Sequence, residues 1–224
     1  MSKKSAATKK RLLIVDDHPM MRQGLAQLID VEPDLSVCGE AENAEQAVQV
    51  IDSLKPDLVL ADISLPGKNG LELIKDFQSI CPGLPVLVIS MHDESLYAER
   101  VLRAGGRGYI MKQEGGKKLM QAIRQVLAGQ IYVSEKMSSE ILEIFSGRRD
   151  GGDSPVETLS DREFEVFQLL GQGKTTRDIA EQLHLSVKTV EVHRVNIKKK
   201  LKQKSSAELI RFAVRWVESQ GAKA

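Results

Sequence analysis

Two short apolar runs in the first half of the chain each end in carboxylates. Asp16 and Asp17 follow the run at residues 12–15, and Asp62 follows the run at residues 58–61. Three carboxylates that converge in one crevice repel one another and have raised pKa values unless a cation lies between them. Mg²⁺ is typically bound by one or two carboxylates and keeps its remaining positions for water and phosphate oxygens. The pattern therefore indicates a magnesium site that could receive a phosphoryl group.

Asp62 is the candidate nucleophile of such a site. Taken alone, Asp62 would be an exposed acid where a strand gives way to a loop, but a carboxylate can also attack a phosphoryl group and form an aspartyl-phosphate. A metal ion and an ammonium group such as that of Lys112 would then neutralise the phosphoryl oxygens. Ser90 ends a further apolar run and Tyr109 lies in the last one, so we expect both near the same site.

The elements that position these residues follow from hydrophobic spacing. Five short apolar runs predict buried strands at residues 12–15, 36–41, 58–61, 86–90 and 108–111. Segments with helical spacing lie between and after them, at residues 20–29, 44–54, 71–80, 95–104 and 117–127. Strict alternation of strands and helices predicts an α/β fold, a flavodoxin-like doubly wound sheet of five parallel strands. Ligands bind outside the carboxyl ends of such strands, where the polar residues are expected.

The second half of the chain predicts helices only. Each of four helices begins with a capping residue: Ser160 with Glu163, Thr175 or Thr176, Ser186, and Ser205 with Glu208. The second and third helices, joined by residues 184–186, predict a helix-turn-helix. The chain therefore carries a second, all-α domain of four helices.

The third of these helices has two different faces. At 100° per residue, Val190, Ile197 and Leu201 share one stripe, which must face the core. The opposite stripe carries two valines between two lysines, which suits a helix in the major groove, where methyl groups meet thymine and lysines reach phosphate. The candidate DNA-binding residues are Lys188, Thr189, Glu191, Val192, Val195 and Lys199.

Length and charge agree with two domains. The 224 residues suffice for two ordinary cores. Residues 155–224 hold 13 basic and 9 acidic residues, a net charge of +4, whereas residues 11–145 hold 13 basic and 20 acidic residues, a net charge of −7. A basic second module indicates a polyanion as its partner.

Cysteine usage indicates a cytoplasmic protein. Cys38 and Cys81 are too few and too isolated for a disulfide framework or a zinc site, which favours a reducing compartment. The apolar run at residues 12–15 is too short for a signal peptide or a membrane span, so we expect no membrane partner.

Composition predicts the domain boundaries. We expect a disordered basic tail at residues 1–10, the α/β domain at 11–128, a connector at 129–158 and the helical domain at 159–224. Within the connector, residues 130–133 predict a small strand or turn and residues 135–145 a helix. The glycine-rich stretch at 147–155 is typical of a flexible linker.

The first half resembles the receiver domain of bacterial two-component response regulators. The resemblance rests on Asp16-Asp17, residues 58–70, Ser90 and residues 108–112. It implies that Asp62 is the phosphoacceptor and that a sensor histidine kinase is the phosphodonor. It also implies a Mg²⁺ ion held by Asp17, Asp62 and the backbone carbonyl of Ser64, with Asp16 holding a metal-bound water.

The same resemblance implies a switch. Lys112 would contact the phosphoryl group, Ser90 would supply the hydroxyl that is drawn to the new phosphate, and Tyr109 would turn inward as that hydroxyl moves. His92 is expected to be a loop histidine near the site. Phosphorylation adds nearly two negative charges, which would shift a two-state equilibrium of loops and helices.

The second half resembles the LuxR-type helix-turn-helix, and with the receiver it gives the NarL/FixJ class of response regulators. The residues that carry this resemblance are Leu159 to Glu163, Ile179-Ala180, Ser186, Thr189-Val190, His193, Ile197 and Lys200-Leu201. It implies transcription control through promoter DNA, with a homodimer on paired half-sites after phosphorylation. Glu191 stands where the family frequently has lysine, so the target sequence cannot be borrowed from relatives.

Two alternatives use the same residues differently. A haloacid-dehalogenase-type phosphatase also forms an aspartyl-phosphate, but it requires a second Asp two residues later, where this chain has Ser64. We therefore expect no enzyme activity of this kind. The other alternative is a phosphorylation-independent DNA-binding regulator whose first domain serves as a dimerisation or ligand platform, and the intact acidic set argues against it.

Overall fold

The computed structural model describes residues 9–145 and 155–221. The chain divides into two compact units between Leu142 and Glu143, the first α/β and the second all-α. The expected tail, up to residue 8, and the expected linker, up to residue 154, lie outside the described residues. Among the helices in the described ranges, none is long and apolar enough to cross a membrane.

Five parallel strands form the sheet of the first unit. Their order is β2-β1-β3-β4-β5, which is the flavodoxin-like order and confirms the predicted fold class. The strands are β1 (Lys10–Val15), β2 (Leu35–Ala41), β3 (Leu58–Ala61), β4 (Val86–Ser90) and β5 (Gly108–Met111).

The inner strands are buried on both faces. Every residue of β3 is fully buried, as the continuous apolar run predicts for a strand between two layers of helices. The first strand begins at Lys10, within the segment expected to be a tail. Its amide donates to the Asp34 carbonyl over 2.8 Å, and its ammonium lies 2.7 Å from Asp57. These two contacts extend the strand beyond the apolar run.

Over the described residues 9–145, six helices accompany the sheet: α1 (Pro19–Asp30), α2 (Ala44–Leu54), α3 (Gly70–Ile80), α4 (Glu94–Arg103), α5 (Gly116–Leu127) and α6 (Glu135–Phe145). Three of their starts are fixed by side-chain caps, because Asn43, Asn69 and Asp93 each accept a backbone N–H of the first turn. The caps set where each helix begins, and so fix the lengths of the loops that leave the carboxyl ends of the strands.

The segment between α5 and α6 lies along the outer edge of β5. Tyr132 forms an isolated parallel bridge with Gly108. The Tyr109 amide donates to the Tyr132 carbonyl over 2.8 Å, and the Tyr132 amide donates to the Arg107 carbonyl over 3.1 Å. A Cβ atom on Gly108 would lie 2.7 Å from that Tyr132 carbonyl, so the close approach requires glycine. The predicted small strand or turn is therefore a docked strand segment one bridge long.

Within residues 155–221, the second unit contains four α-helices after a short 3₁₀ helix at Pro155–Thr158. They are α7 (Asp161–Gly171), α8 (Thr176–Gln182), α9 (Val187–Lys200) and α10 (Ser206–Gly221). Ser160 forms the predicted capping box with Glu163, Thr175 forms one with Asp178, and Ser186 caps α9.

Aromatic residues and the apolar stripe of α9 build the core of the second unit. The Trp216 ring lies 5.6 Å from Phe164 and 5.5 Å from Phe167, both in edge-on arrangements. Val190 and Ile197 are fully buried, as the 100° spacing predicts. The core therefore holds α9 by one face and leaves the other face in solvent.

Candidate functional sites

The register of the sheet brings the acids to one edge. Val15 pairs with Ala61, so β1 and β3 end level with each other. The Asp62 amide continues this ladder by donating to the Val15 carbonyl over 2.8 Å, and the Asp16 amide donates to the Ala41 carbonyl over 3.1 Å. Because the backbone of both acids is held by the sheet, their side chains begin from fixed positions in the crevice.

Lys112 lies between two of these acids. Its Nζ atom is 2.7 Å from Asp16 Oδ2 and 2.7 Å from Asp62 Oδ2. All three side chains are at least 96% buried, since their exposed fractions are 4%, 0% and 3%. The Lys112 amide donates to the Ser90 carbonyl over 2.7 Å, which ties the lysine to the end of β4. The structure thus brings together Asp16, Asp62, Ser90 and Lys112 from four strand ends.

The charges of this acid pocket do not balance without a cation. Asp16, Asp17 and Asp62 carry three negative charges and Lys112 one positive charge, which leaves a net charge of −2. Asp62 Oδ1 is buried and has no hydrogen-bond partner in the described part of the chain. Burial raises the pKa of Asp62, although Lys112 partly offsets this. An unpartnered buried oxygen within a group of three carboxylates fits a divalent cation.

Burial and charge also oppose each other at Lys112. Burial alone would lower the pKa of its ammonium, but Asp62 and Asp16 outweigh that effect and the pKa is raised. Lys112 therefore stays charged, as a group that neutralises phosphoryl oxygens must.

His18 is a member of the acid pocket that the sequence analysis missed. One ligand atom from each of Asp16, Asp17, His18 and Asp62 lies within 4.8 Å of all the others. The His18 Nδ1 atom is 2.7 Å from Asp17 Oδ1 and 3.2 Å from Asp16 Oδ1. The available signal was its place in the sequence, directly after the two aspartates and before Pro19.

A buried arginine supports the same loop from beneath. Arg22 of α1 donates to the Asp16 carbonyl over 2.6 Å. Its other nitrogens reach Glu40 near the end of β2 at 3.2 Å and Glu42 just after that strand at 2.9 Å. Arg22 thus fixes the backbone from which the Asp16 and Asp17 side chains extend, a second role not found from the sequence.

Ser90 and Tyr109 lie close to one another through His92. Ser90 is fully buried and its hydroxyl accepts the His92 amide over 3.2 Å. The Tyr109 hydroxyl donates to the His92 carbonyl over 2.8 Å, with the ring 1% exposed. Burial raises the pKa of the Tyr109 phenol, so it remains a donor at neutral pH.

The His92 ring connects this pair to the loop after Asp62. Its Nε2 atom lies 2.9 Å from the exposed Ser64 hydroxyl, and its ring centroid is 4.8 Å from that of Tyr97. Burial lowers the pKa of His92, with a further contribution from Lys112. His92 is therefore in the loop after β4 and near the site, as expected.

The outer face of α9 exposes most of the candidate DNA-binding residues. Val192 and Val195 are 52% and 58% exposed, which is unusual for valines in a packed domain. Lys188, Glu191 and Lys199 are exposed beside them. Thr189 differs, since it is half-buried and its hydroxyl lies 2.7 Å from that of Ser186 at the start of the helix.

Two contacts hold α9 against its neighbours. Lys200 at the end of α9 lies 2.6 Å from Glu163 of α7. Arg194 donates to the Thr176 hydroxyl at the start of α8. These contacts join both partner helices to α9, so its exposed face keeps a fixed direction relative to α8.

Each half of the chain matches a family of known proteins. Residues 12–124 match the family model of the response regulator receiver domain. Residues 157–213 match that of bacterial regulatory proteins of the luxR family. The chain is also similar to the nitrate/nitrite response regulator protein NarL of Escherichia coli (strain K12), with 35% identity over 222 residues, 98% of this chain and 99% of that protein.

Solved structures resemble the chain over most of its length. RcsB from Salmonella enterica serovar Typhimurium, bound to promoter rprA in the presence of phosphomimetic BeF3-, has 25% identity and a TM-score of 0.61 over 92% of this chain and 99% of that one. A structure of two RcsB dimers bound to two parallel DNAs has 25% identity and a TM-score of 0.57, with 92% and 98% of the two chains covered.

Proposed function

The chain belongs to the response regulators of the NarL/FixJ class, which join a receiver domain to a LuxR-type helix-turn-helix domain, and we propose that phosphorylation of Asp62 controls its binding to promoter DNA. The observation that carries this proposal is the pairing of Asp62 with Lys112. One Asp62 oxygen lies 2.7 Å from the ammonium, and the other is buried without a partner. We further propose that the receiver spans residues 11–128 and the DNA-binding domain residues 159–224, with the connector between them.

Phosphoryl transfer needs a nucleophile and neutralisation of charge. An Asp62 carboxylate oxygen forms the new bond to phosphorus, and the bond from phosphorus to the donor breaks, with its electron pair leaving on the donor. The donor is a phosphohistidine of a sensor kinase, or a small acyl phosphate in the test tube. Lys112 neutralises one phosphoryl oxygen as charge develops.

The acid pocket would hold Mg²⁺ through Asp17, Asp62 and the Ser64 backbone carbonyl, with Asp16 holding a metal-bound water. Bound Mg²⁺ supplies positive charge to the phosphoryl oxygens. The net charge of −2 and the unpartnered Asp62 oxygen support this assignment. Arg22 keeps the loop of Asp16 and Asp17 in place for it.

Ser90 and Tyr109 are proposed to sense the new phosphate. When the Ser90 hydroxyl turns toward the phosphoryl group, it releases the His92 amide, whose carbonyl also holds the Tyr109 hydroxyl. The two side chains therefore share one loop, and a change at one reaches the other.

The output is proposed to be DNA binding through α9 in the major groove, as a homodimer on paired half-sites. The exposed valines and lysines of α9 support this interface. A promoter-binding role also implies the cytoplasm as its compartment. The aspartyl-phosphate is then a signal and not an intermediate in turnover, which agrees with Ser64 in place of the second acid of a phosphatase.

The test is labelling with acetyl phosphate and Mg²⁺, followed by measurement of dimerisation and DNA binding. Asp62→Asn removes the nucleophile, so we expect it to abolish the label. Asp57→Asn is the matched control, because Asp57 flanks the other end of β3 and contacts Lys10 instead. Labelled protein should bind promoter DNA more tightly than unlabelled protein.

Two results would contradict different parts of this proposal. Unchanged labelling of Asp62→Asn would reject Asp62 as the acceptor. Normal labelling with no effect on assembly or DNA affinity would keep the acceptor and reject the coupling, which favours the phosphorylation-independent alternative.

A further inference from the structure

His18 occupies a helix start without acting as a cap. It is the N-cap residue of α1, a position that favours Ser, Thr, Asp or Asn because their short side chains accept a first-turn N–H. Its side chain makes no such bond. Its amide donates to Asp16 Oδ1 over 2.8 Å, and Pro19 follows at the first helical position, so the backbone is fixed on both sides. The ring is therefore directed to the acids and not to the helix.

The position of the ring relative to the acids suits a shared cation. An imidazole nitrogen 2.7 Å from Asp17 Oδ1 and 3.2 Å from Asp16 Oδ1 must have a proton or a metal ion between itself and the oxygens. Neighbouring ligands of a six-coordinate ion with bonds of about 2.1 Å lie about 3.0 Å apart, and opposite ligands about 4.2 Å apart. The four donor atoms lie within 4.8 Å of one another, so shifts of a few tenths of an ångström would close the set.

The chemical types of the ligand atoms determine which metal ion the pocket binds more tightly. Mg²⁺ prefers oxygen ligands and gains little from imidazole, whereas first-row transition ions accept nitrogen readily. The pocket also has room for a further bond, because Asp62 Oδ1 is buried without a hydrogen-bond partner within the described ranges and Asp62 belongs to the same group as His18. With Asp16 acting through a metal-bound water, Asp17, Asp62 and the Ser64 carbonyl would supply oxygen ligands, and His18 would add a nitrogen to them.

We propose that His18 is a fourth ligand of the acid pocket, through Nδ1, and that it gives this receiver a preference for first-row transition-metal ions over Mg²⁺. The inference rests on the proposed function, since it assigns the metal of the same site. The His18 side chain is 66% exposed, so solvent can exchange metal ions with this side of the pocket.

The test uses Mn²⁺ as the probe on the full chain. Electron spin echo spectroscopy of bound Mn²⁺ detects a directly coordinated nitrogen, and competition with Mg²⁺ gives the ratio of the two affinities. Wild type should show a coordinated nitrogen. His18→Gln should lose it, and the Mn²⁺ to Mg²⁺ affinity ratio should fall about tenfold.

His184→Asn is the matched control. His184 is an exposed histidine in the turn before α9, with a φ of +52° that asparagine tolerates. It removes an imidazole far from the acids in sequence and should leave the nitrogen signal unchanged. Asp62→Asn should lower Mn²⁺ affinity together with the signal.

The outcomes separate this inference from the proposed function. Mn²⁺ binding without a nitrogen signal, or a signal that persists in His18→Gln, would overturn the ligand assignment while Asp62 labelling in Mg²⁺ still stood. A signal that survives Asp62→Asn would locate the ion outside the pocket and overturn the inference. By contrast, if Asp62→Asn were labelled as strongly as wild type in Mg²⁺, the proposed function itself would be overturned.

Discussion

Glu163 serves two helices with one carboxylate. Its Oε2 atom accepts the Ser160 amide over 2.8 Å at the start of α7 and lies 2.6 Å from the Lys200 ammonium at the end of α9. Burial alone would raise the pKa of Glu163, but the hydrogen bonds from Lys200 and Ser160 outweigh it, so the pKa is lowered. The charged form is therefore favoured by the fold.

Glu163→Gln should destabilise the second unit in a pH-dependent way. At pH 7 we expect a loss of about 1 kcal/mol in its free energy of unfolding, the usual cost of a weakened cap. The folded pKa lies below the ordinary 4.5, so the contribution is present above 4.5 and is lost as pH falls through the folded value. Urea unfolding followed by fluorescence of Trp216, the chain's one tryptophan, reports on this unit.

Asp178→Asn is the matched control for that measurement. Asp178 completes a capping box with Thr175 but shows no ion pair in the described part of the chain. Hydrogen bonds from Thr175 also lower the pKa of Asp178, so Asp178→Asn reports the pH dependence of a cap alone. It should remove less of the stability difference between pH 7 and pH 3 than Glu163→Gln does. Equal stability of wild type and Glu163→Gln at pH 7 would contradict the role given to the Lys200 contact.

Residues at strand ends were predictable because alternation of strands and helices forces the carboxyl ends to one edge. Asp16, Asp62 and Lys112 meet there for that reason. His18 and Arg22 were not predictable in the same way. Their roles depend on where a ring or a guanidinium points from α1, which spacing alone does not determine. A histidine at a helix start, between two acids and a proline, was the one local signal.

At the scale of elements, the connector is held to β5 by its backbone. The Tyr132 bridge and its two hydrogen bonds depend on a glycine at position 108. The Ser134 amide adds a bond of 2.8 Å to Glu94 at the start of α4. The connector therefore contacts both the strand that carries Tyr109 and the helix that follows Ser90.

Gly108→Ala should release the connector. The added Cβ would lie 2.7 Å from the Tyr132 carbonyl and 3.0 Å from Leu87, so the segment must move outward. We expect the amides of Tyr109 and Tyr132 to exchange with solvent about tenfold faster, measured by hydrogen exchange. Gly24→Ala is the control, because a Cβ there meets nothing within 4 Å. Unchanged protection of both amides would show that the bridge does not hold the segment.

Element boundaries show the limit of prediction from sequence. Strands β3, β4 and β5 were predicted residue for residue, because apolar runs between turns define buried strands sharply. The faces of α9 were predicted from its 100° spacing. The connector's place on β5 was not, since a single bridge leaves no repeating pattern in the sequence.

At the scale of the whole molecule, charge is divided between the two halves. The net charge of −7 over residues 11–145 and of +4 over residues 155–224 gives each unit its own electrostatic character. Only the second suits a polyanion, and its exposed lysines on α9 concentrate that charge where the valines are. This division was evident from the sequence because it depends on composition and not on geometry.

Lys188→Ala and Lys199→Ala should each flatten the salt dependence of DNA affinity. A lysine that contacts phosphate releases counterions, so its loss reduces the slope of log affinity against log salt by about 1. Affinity measured across a salt series gives the slope. Lys117→Ala is the control, as an exposed lysine on α5 of the other unit. Slopes equal to wild type in both α9 variants would remove these lysines from the DNA interface.

The docked connector also covers the outer edge of the sheet. Strand β5 is an edge strand, and Tyr132 covers the Tyr109 amide and the Arg107 carbonyl on its outer side. A fragment that stops at residue 124, where the receiver match ends, leaves those groups open as a template for strands of other chains. An isolated receiver therefore requires residues through Ser134, or the fragment is expected to self-associate through the open edge of β5.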